Sequence, residues 1–218
     1  MAWILTGGRI LDPLIRKGLE AWLSGRPIGG IGPLEEALYS DYLVGGLSIG
    51  KGSSAPTLKT FRNGIEMNAF AGTGPTEEGF FAIHVMHDIK AGTTPTFHVH
   101  WSHIVASPSG DVKWQVELTA AQGYESEAFP ATSTLSSTHT AGTQYAHHIT
   151  DDDDMAMPAG LASSIEPDMF ILGRIFRDSS DAADTFANDA FLIGIDMHYQ
   201  KGQIGTTERN RPFTSGSF

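Results

Sequence analysis

Apolar and polar residues alternate most clearly between residues 94 and 118. In the first half of this segment, Phe97, Val99 and Trp101 share one face of an extended strand, because strand side chains alternate with period two. The second half has an apolar face of its own, made of Val112, Trp114, Val116 and Leu118. Residues 107–110, Ser-Pro-Ser-Gly, separate the halves and bend easily. The pattern predicts an antiparallel hairpin with one face in a sandwich core.

Other short segments with strand patterns follow one another along the chain, separated by turn residues. They are residues 60–70 with a turn at Asn63-Gly64, 80–89, 132–150, 168–177 and 190–201. In the fourth segment, Phe170, Leu172 and Phe176 share a face. In the last, the predicted inward residues are Phe191, Ile193, Ile195, Met197 and Tyr199. Seven to nine such strands predict a mainly β fold, an antiparallel β-sandwich of jelly-roll-like type.

The first 56 residues follow a different pattern. Residues 9–24 have apolar side chains at helical spacing, with Asp12-Pro13 suited to the helix start and Gly25 to its end. Residues 26–56 are rich in glycine and contain one short helical piece at 33–43. We therefore predict an N-terminal helical or extended arm over residues 1–56 and the sandwich domain over 57–218. The amphipathic helix packs either on its own domain or on a neighbouring subunit.

The composition narrows the classes of partner. The formal net charge of the 218 residues is −11, so a nucleic-acid partner is not expected, and no cysteine is present for disulfide or thiolate chemistry. No segment resembles a signal peptide or has the length of a membrane span, so neither secretion nor a membrane is expected. Only 18% of residues are charged, while glycine numbers 25. Such a surface favours assembly with other subunits.

His98 and His100 are the strongest candidates for chemistry, because two imidazoles on one strand face can bind one metal ion. Gly92 precedes His98 at the interval of the first cupin motif, but the glutamate expected near Ile104 or Val105 is missing, as is a second motif. His198, in Asp196-Met197-His198, and Glu117 could complete a site if their strands are neighbours. The favoured interpretation is structural: histidines hydrogen-bonded across a polar sheet face or at a subunit interface. We predict no catalytic, cofactor-binding or metal-binding residue.

The remaining polar clusters favour ordinary surface roles. His103, His139 and the pair His147-His148 have no partner pattern and are predicted to be surface or turn residues. Asp151–Asp154 lacks the ligand order of an EF-hand and is predicted to be a solvated turn. The sequence contains no GxSxG, P-loop or dinucleotide fingerprint. An enzyme is therefore not expected.

Several motifs together resemble a group of tailed-bacteriophage virion proteins. They are FRNG (61–64), IKAGTTPTFHVHW (89–101), GDVKWQVEL (110–118), DTFANDAFLIGIDMHYQ (184–200) and GTTERNRPF (205–213). In that group, a His-x-His-Trp strand is followed by a Gly-x-Val-x-Trp strand, and a late Asp-Ala-Phe-Leu strand ends in His-Tyr. The resemblance implies a β-sandwich structural protein of the capsid surface, tail or neck, without cofactor.

These observations predict a virion protein, made in the host cytoplasm, that decorates the capsid or is otherwise head-associated. Its partners would be other virion proteins and further copies of itself, in a trimer or another cyclic oligomer. A tail or neck adaptor, or a fibre-attachment protein, is the alternative within this class. A cupin-like metal-dependent enzyme using His98, His100 and His198 is an alternative from another class. A third is a carbohydrate-binding sandwich with exposed aromatics such as Tyr124 or Tyr145.

Overall fold

Two antiparallel sheets make up the fold in the computed structural model, which describes residues 38–202 apart from 125, 152 and 163. The predicted helix at 9–24 and the motif at 205–213 lie outside the described residues. The described strands are β1 (Leu38–Gly45), β2 (Gly50–Lys51), β3 (Thr57–Arg62), β4 (Ile65–Phe70), β5 (Glu78–His84), β6 (Thr96–Ser102), β7 (Asp111–Gln122), β8 (Ser133–Thr140), β9 (His148–Ile149), β10 (Met169–Arg177) and β11 (Ala190–Lys201). One helical turn, α1 (Ala159–Ala162), accompanies them. Among the described residues, no helix combines the length and apolarity that crossing a bilayer needs.

The strand order identifies the sandwich as a jelly roll. Sheet 1 has the order β3-β4-β11-β6-β9, with β1 also beside β11, and sheet 2 has the order β2-β5-β10-β7-β8. Eight of these strands pair from the outside inward: β1 with β11, β5 with β10, β6 with β9 and β7 with β8. This nested pairing is that of one long hairpin rolled into two sheets. The predicted fold class is confirmed; β2 and the β3–β4 hairpin are additions between the first and second strands of the roll.

The predicted hairpin between residues 94 and 118 is wrong, although its faces are right. β6 belongs to sheet 1 and β7 to sheet 2, so the connection between them crosses from one sheet to the other. The apolar faces meet across the core, with the rings of Trp101 and Trp114 at 6.5 Å between centroids. Two strands with one apolar face each can bury those faces by opposing them as well as by sharing a sheet. Alternation alone does not distinguish the two arrangements.

The core between the sheets is filled by large side chains. Those with no exposed surface in β6 and β7 are Phe97, Val99, Trp101, Val112, Trp114, Val116 and Leu118. Phe70 and Phe186 join the same cluster, and the ring of Phe70 meets Trp114 edge-on at 5.1 Å. Burying a side chain of this size contributes about 1.5–3 kcal/mol. The space between the sheets is thus occupied by the protein's own aromatic residues.

Two strands depart from the predicted burial. In β10, Phe170 and Leu172 share a face as predicted, but that face is the outer one, and Met169, Ile171 and Ile175 point into the core. In β11 the pairing with β6 shifts register between Leu192 and Gly194, which marks a β-bulge. After the bulge the predicted residues Ile195, Met197 and Tyr199 are buried. Before it, Leu192 is in the core and Ile193 is exposed, so the prediction for Ile193 is wrong. Phe191 is buried as predicted, with its ring 5.3 Å from that of Phe61.

Residues 38–51 lie in the sheets and not in a connector. The helical piece predicted at 33–43 is wrong over its described part, since β1 runs antiparallel to β11 from Leu38 opposite Lys201 to Gly45 opposite Gly194. β2 pairs with the edge of β5. The chain therefore enters the sandwich no later than Leu38, before the predicted boundary at residue 56. The turn at Asn63-Gly64 is confirmed, with Asn63 at a positive φ of 53° between β3 and β4.

Candidate functional site

A cluster of two imidazoles and a carboxylate lies on the outer face of sheet 1. His98 and His100 come from β6, and Asp196 comes from β11, where it stands opposite His98. The two carboxylate oxygens face different rings: His98 Nδ1 lies 3.3 Å from Oδ1, and His100 Nε2 lies 3.0 Å from Oδ2. Pairing of β6 with β11 thus places the carboxylate between two histidines that the strand period puts on one face. We call these three residues the imidazole–carboxylate cluster.

The cluster is more enclosed than an outer sheet face usually is. Its side chains are 12% exposed at His98, 16% at His100 and 10% at Asp196. Burial by itself would raise the pKa of Asp196, but the hydrogen bond of His100 and the charges of His100 and His98 outweigh it and hold that pKa well below its usual range. Asp196 is therefore an anion in the folded protein, and both rings are oriented by it.

His147 extends the cluster by one step. Its Nε2 lies 2.8 Å from Nδ1 of His100, so the two rings share one proton in a hydrogen bond. Partial desolvation of its ring against the protein, followed by the charge of His100, lowers the pKa of His147, although the residue as a whole is exposed. Asp196, His100 and His147 therefore form a continuous hydrogen-bonded series across β11, β6 and the residue before β9. The series fixes which nitrogen of His100 faces the carboxylate.

The other two residues predicted for this site, His198 and Glu117, lie on different sheets. His198 lies on the same face, with its ring centroid 5.5 Å from that of His98, and its Nε2 is 3.7 Å from Oδ1 of Asp41 on β1. Glu117 is on the outer face of sheet 2, where its carboxylate accepts a hydrogen bond from Arg174 at 2.9 Å. The suggestion that Glu117 could complete a site with the histidines is therefore wrong. The carboxylate beside His98 and His100 is that of Asp196. Its position follows from the pairing of β6 with β11, which the sequence does not show.

Two histidines predicted to lie on the surface are in the core. His103 and His148 are buried, and the ring of His148 packs on Trp101 with centroids 4.6 Å apart. Burial, then the charges of His139, His103 and His147, lowers the pKa of His148 to about 4. β9 contributes only His148 and Ile149, and the inward one of the two is the histidine. The surface interpretation holds for the exposed His147.

A second histidine pair, missed by the sequence analysis, surrounds Asp168. The Nε2 atoms of His84 and His87 lie 3.1 and 2.9 Å from the same oxygen, Oδ1. Asp168 itself has a positive φ of 65°, an uncommon backbone state outside glycine. Both rings are much more exposed than those of the imidazole–carboxylate cluster. Because Asp168 lies 84 and 81 positions from His84 and His87 in the sequence, no local pattern points to this group.

The outer face of sheet 2 carries an apolar patch. Phe80, Phe170 and Leu172, which we call the sheet 2 patch, are 42, 47 and 41% exposed. They lie on β5 and β10, at the middle of the sheet order. Arg174 borders the patch and is held by two carboxylates, with Nε 2.6 Å from Glu78 and Nη1 2.9 Å from Glu117. An uncovered apolar surface at the centre of a sheet is typical of a contact site.

The acidic segment at 151–154 and the two tyrosines considered for glycan binding are the remaining candidates. Asp151, Asp153 and Asp154 are exposed in a turn, as predicted for the solvated acidic segment. Of the two aromatics considered for glycan binding, Tyr124 is exposed, whereas the ring of Tyr145 is covered on one side by the guanidinium of Arg62, 4.4 Å away. The acidic turn borders a shallow depression beside Ile149 and His139.

Comparison with known proteins gives distant structural likenesses. No protein-family model and no curated protein matches the chain. A solved structure of the infectious bursal disease virus Gx strain is similar over 82% of this chain, with 10% identity and a TM-score of 0.38. A structure of the Gt strain of the same virus is similar over 81%, with 12% identity and a TM-score of 0.35. The chain spans 37% and 38% of the two chains that it matches.

Proposed function

We propose that this protein is a virion structural component that assembles with further copies of itself through the outer face of sheet 2. The observation that carries the proposal is the sheet 2 patch: Phe80, Phe170 and Leu172 leave the centre of a sheet apolar and open. The motifs shared with tailed-bacteriophage virion proteins support the same class. So does a composition with few charged residues.

The patch has the features of a subunit interface. Aromatic residues at its centre can supply the main contact energy, since interface hot spots are rich in large side chains surrounded by a polar rim. Arg174 forms part of that rim and already has its charge compensated by Glu78 and Glu117. Covering it with a second copy therefore does not leave a lone charge buried. A second copy is the favoured occupant because every copy presents the same patch, so a symmetric contact is self-complementary.

The packing between the sheets supports a structural role over a cupin-like enzyme. Trp101, Trp114 and Phe97 fill the interior of the roll, and His98 and His100 face outward, on the opposite side of β6 from Phe97. A jelly roll by itself is shared by shell proteins, lectins and cupins, so the fold does not choose between them. The histidines lie on the outer face of the sheet and not between the sheets, and this position favours a structural role over a cupin-like enzyme.

Within the virion, the protein decorates the capsid or is otherwise head-associated, and the predicted N-terminal arm anchors it. The symmetric contact through sheet 2 alone gives a two-fold dimer, and the trimer or larger ring expected from the sequence requires a second, head-to-tail contact. A tail or neck adaptor is the second candidate in the same class. Immunogold labelling of particles, made from the genome that encodes this chain, distinguishes the two by whether gold marks heads or tails. Deleting residues 1–25 should leave a folded, soluble protein that no longer binds those particles; unchanged binding would argue against the anchor.

Self-assembly is tested on the full chain by sedimentation velocity. The wild type should sediment as a discrete oligomer, and Phe170→Lys with Leu172→Lys should convert it to a monomer with an unchanged far-UV circular dichroism spectrum. Leu58→Lys is the matched control, because Leu58 is 48% exposed but lies on β3 of sheet 1. A wild-type chain that stays monomeric, or a double variant that assembles like the wild type, would overturn the proposed interface.

The virion assignment has its own test. Mass spectrometry of gradient-purified particles from the encoding genome should detect this chain in a fixed ratio to the major shell protein. Particles that lack the chain, in an infection that expresses it, would contradict the assignment whatever its oligomeric state.

A further inference from the structure

We propose that the imidazole–carboxylate cluster is a binding site for one divalent transition-metal ion, with His98, His100 and Asp196 as its protein ligands. The site is separate from the sheet 2 patch and does not depend on the role in a virion. Two imidazoles and one carboxylate form a donor set that binds divalent zinc, iron and related ions. The set differs from the His98, His100 and His198 combination considered from the sequence.

The spacing of the donor atoms fits coordination to one ion. Ligand atoms of the three residues all lie within 4.8 Å of one another. Metal–ligand bonds of about 2.1 Å place neighbouring ligand atoms roughly 3.0 Å apart in octahedral and 3.4 Å apart in tetrahedral geometry. Each ring nitrogen has one carboxylate oxygen at a spacing of this size: His100 Nε2 lies 3.0 Å from Oδ2 and His98 Nδ1 lies 3.3 Å from Oδ1 of Asp196. An ion can therefore be bound with small side-chain adjustments.

Among the residues that the structure describes, none donates a well-aligned hydrogen bond to one of the two carboxylate oxygens of Asp196. Oδ1 of Asp196 is buried and receives no hydrogen bond of acceptable geometry, although Nδ1 of His98 lies 3.3 Å away. A buried charged oxygen without a directed partner costs free energy. Oδ2, in contrast, is hydrogen-bonded by His100. The hydrogen bonds within the cluster leave Oδ1 without a well-aligned donor. A metal ion between His98 and Asp196 would provide Oδ1 with a partner.

His147 acts as a positioning residue for this site. Its hydrogen bond to Nδ1 of His100 directs Nε2 of His100 toward Asp196 and the ion. Metal-bound histidines usually have such an outer partner on the second ring nitrogen. His100 therefore has the outer hydrogen bond, to His147, that is usual for a metal-binding histidine.

The framework that holds the ligands is rigid. β6 and β11 are neighbours in sheet 1, and their inward residues Phe97, Val99, Ile195 and Met197 are fully buried. Ligands on paired strands keep their separation better than ligands on loops. The ion would link two strands that are more than eighty residues apart in the sequence, since β6 ends at Ser102 and β11 begins at Ala190. It is expected to stabilise the pairing of these strands.

The test uses the full chain after treatment with a chelator. Zn²⁺ is titrated by calorimetry, bound metal is counted by elemental analysis, and Co²⁺ is added as a spectroscopic probe. The wild type should bind one Zn²⁺ per chain, melt at a higher temperature when loaded, and give visible Co²⁺ absorption bands. Asp196→Asn and His98→Gln should each weaken binding at least ~10-fold, and His147→Ala should weaken it ~10- to 100-fold, as for outer contacts at other metal sites.

Asp168→Asn is the matched control, because Asp168 also lies between two histidines, His84 and His87, whose side chains are 44% and 35% exposed. It should leave Zn²⁺ binding and the Co²⁺ spectrum unchanged. Near-UV circular dichroism of each metal-free variant checks folding, and His98→Gln keeps the test decisive if Asp196→Asn does not fold. Failure to bind Zn²⁺ above background, or binding that is lost in Asp168→Asn and retained in His98→Gln, would overturn the proposal. Neither outcome bears on assembly through sheet 2.

Discussion

Arg177 and Asp184 form a two-bond ion pair that is entirely shielded from solvent. Nη2 of Arg177 donates to Oδ1 at 2.7 Å and Nε donates to Oδ2 at 2.8 Å, and both side chains are 0% exposed. The guanidinium also donates to the backbone carbonyls of Phe70, Phe186 and Asn188. One arginine at the end of β10 therefore holds the segment that leads into β11 and the end of β4 together.

Replacing Asp184 should be strongly destabilising. Asp184→Asn leaves the guanidinium buried without its anion, and breaking a buried pair in this way typically costs about 3–5 kcal/mol. The amide also repels the two nitrogens wherever its NH₂ group faces them. Urea unfolding followed by tryptophan fluorescence should show a lower midpoint at an unchanged slope.

Asp189→Asn is the control for that substitution. Asp189 pairs with Lys59 at 2.6 Å, but the two side chains are 28% and 43% exposed. Pairs of this kind contribute roughly 0–1 kcal/mol, so the variant should unfold close to the wild type. Equal losses in the two variants would mean that burial does not set the strength of the Arg177 pair.

Gly110 should not tolerate a side chain. It begins the approach to β7 at φ 100°, a region that residues with a Cβ rarely adopt, and a Cβ there would lie 2.6 Å from the carbonyl oxygen of Thr185. Both obstacles are backbone features that cannot move aside easily. Gly110→Ala should therefore lower the free energy of unfolding by about 1–3 kcal/mol, measured by denaturant titration.

Gly123→Ala serves as the comparison for Gly110. A Cβ at Gly123 would meet nothing within 4 Å, and its φ lies outside the left-handed region. Alanine at such a position reduces the freedom of the unfolded chain, so the variant should be neutral or stabilised by up to ~1 kcal/mol. If Gly110→Ala behaved like Gly123→Ala, the close approach of residues 110 and 185 would be disproved.

The sequence was most informative about faces and least informative about neighbours. Alternation correctly predicted that Trp101 and Trp114 point inward, because burial of one face is encoded locally. It could not predict that their strands lie in different sheets, since that choice depends on which non-local strands pair. The β-bulge in β11 could not be predicted either. It shifts the alternation by one residue, so that Ile193 is exposed and Leu192 is buried.

The candidate site was likewise predictable only in the part that depends on local alternation. Its two histidines were found because they are two residues apart on one strand. Asp196 was noticed only as the neighbour of His198, since its position between the histidines requires β11 to pair with β6 in the observed register. Glu117, the acidic residue suggested instead, belongs to the other sheet. Ligand identity thus depended on strand order, which the residue pattern leaves open.

His148 should make the protein less stable in mild acid. Its pKa is about 4 in the folded protein, because it is buried and lies near His139, His103 and His147, whereas the ordinary pKa of histidine is 6.5. Between these values the unfolded chain binds the proton more readily than the folded chain does, so the free energy of unfolding falls as the pH drops below about 6.5 and levels off near 4. The loss from this residue should be about 3 kcal/mol.

A variant isolates that contribution from those of other titrating groups. His148→Phe keeps an aromatic ring against Trp101 but has no proton to bind, so its unfolding free energy should depend less steeply on pH between 6.5 and 4 than that of the wild type. At pH 7 the two proteins should differ by less than about 1.5 kcal/mol, as expected for a swap of similar volume. The measurement is urea unfolding at half-unit pH steps. Parallel curves for the two proteins over this range would show that His148 takes up its proton equally well in the folded and unfolded chain.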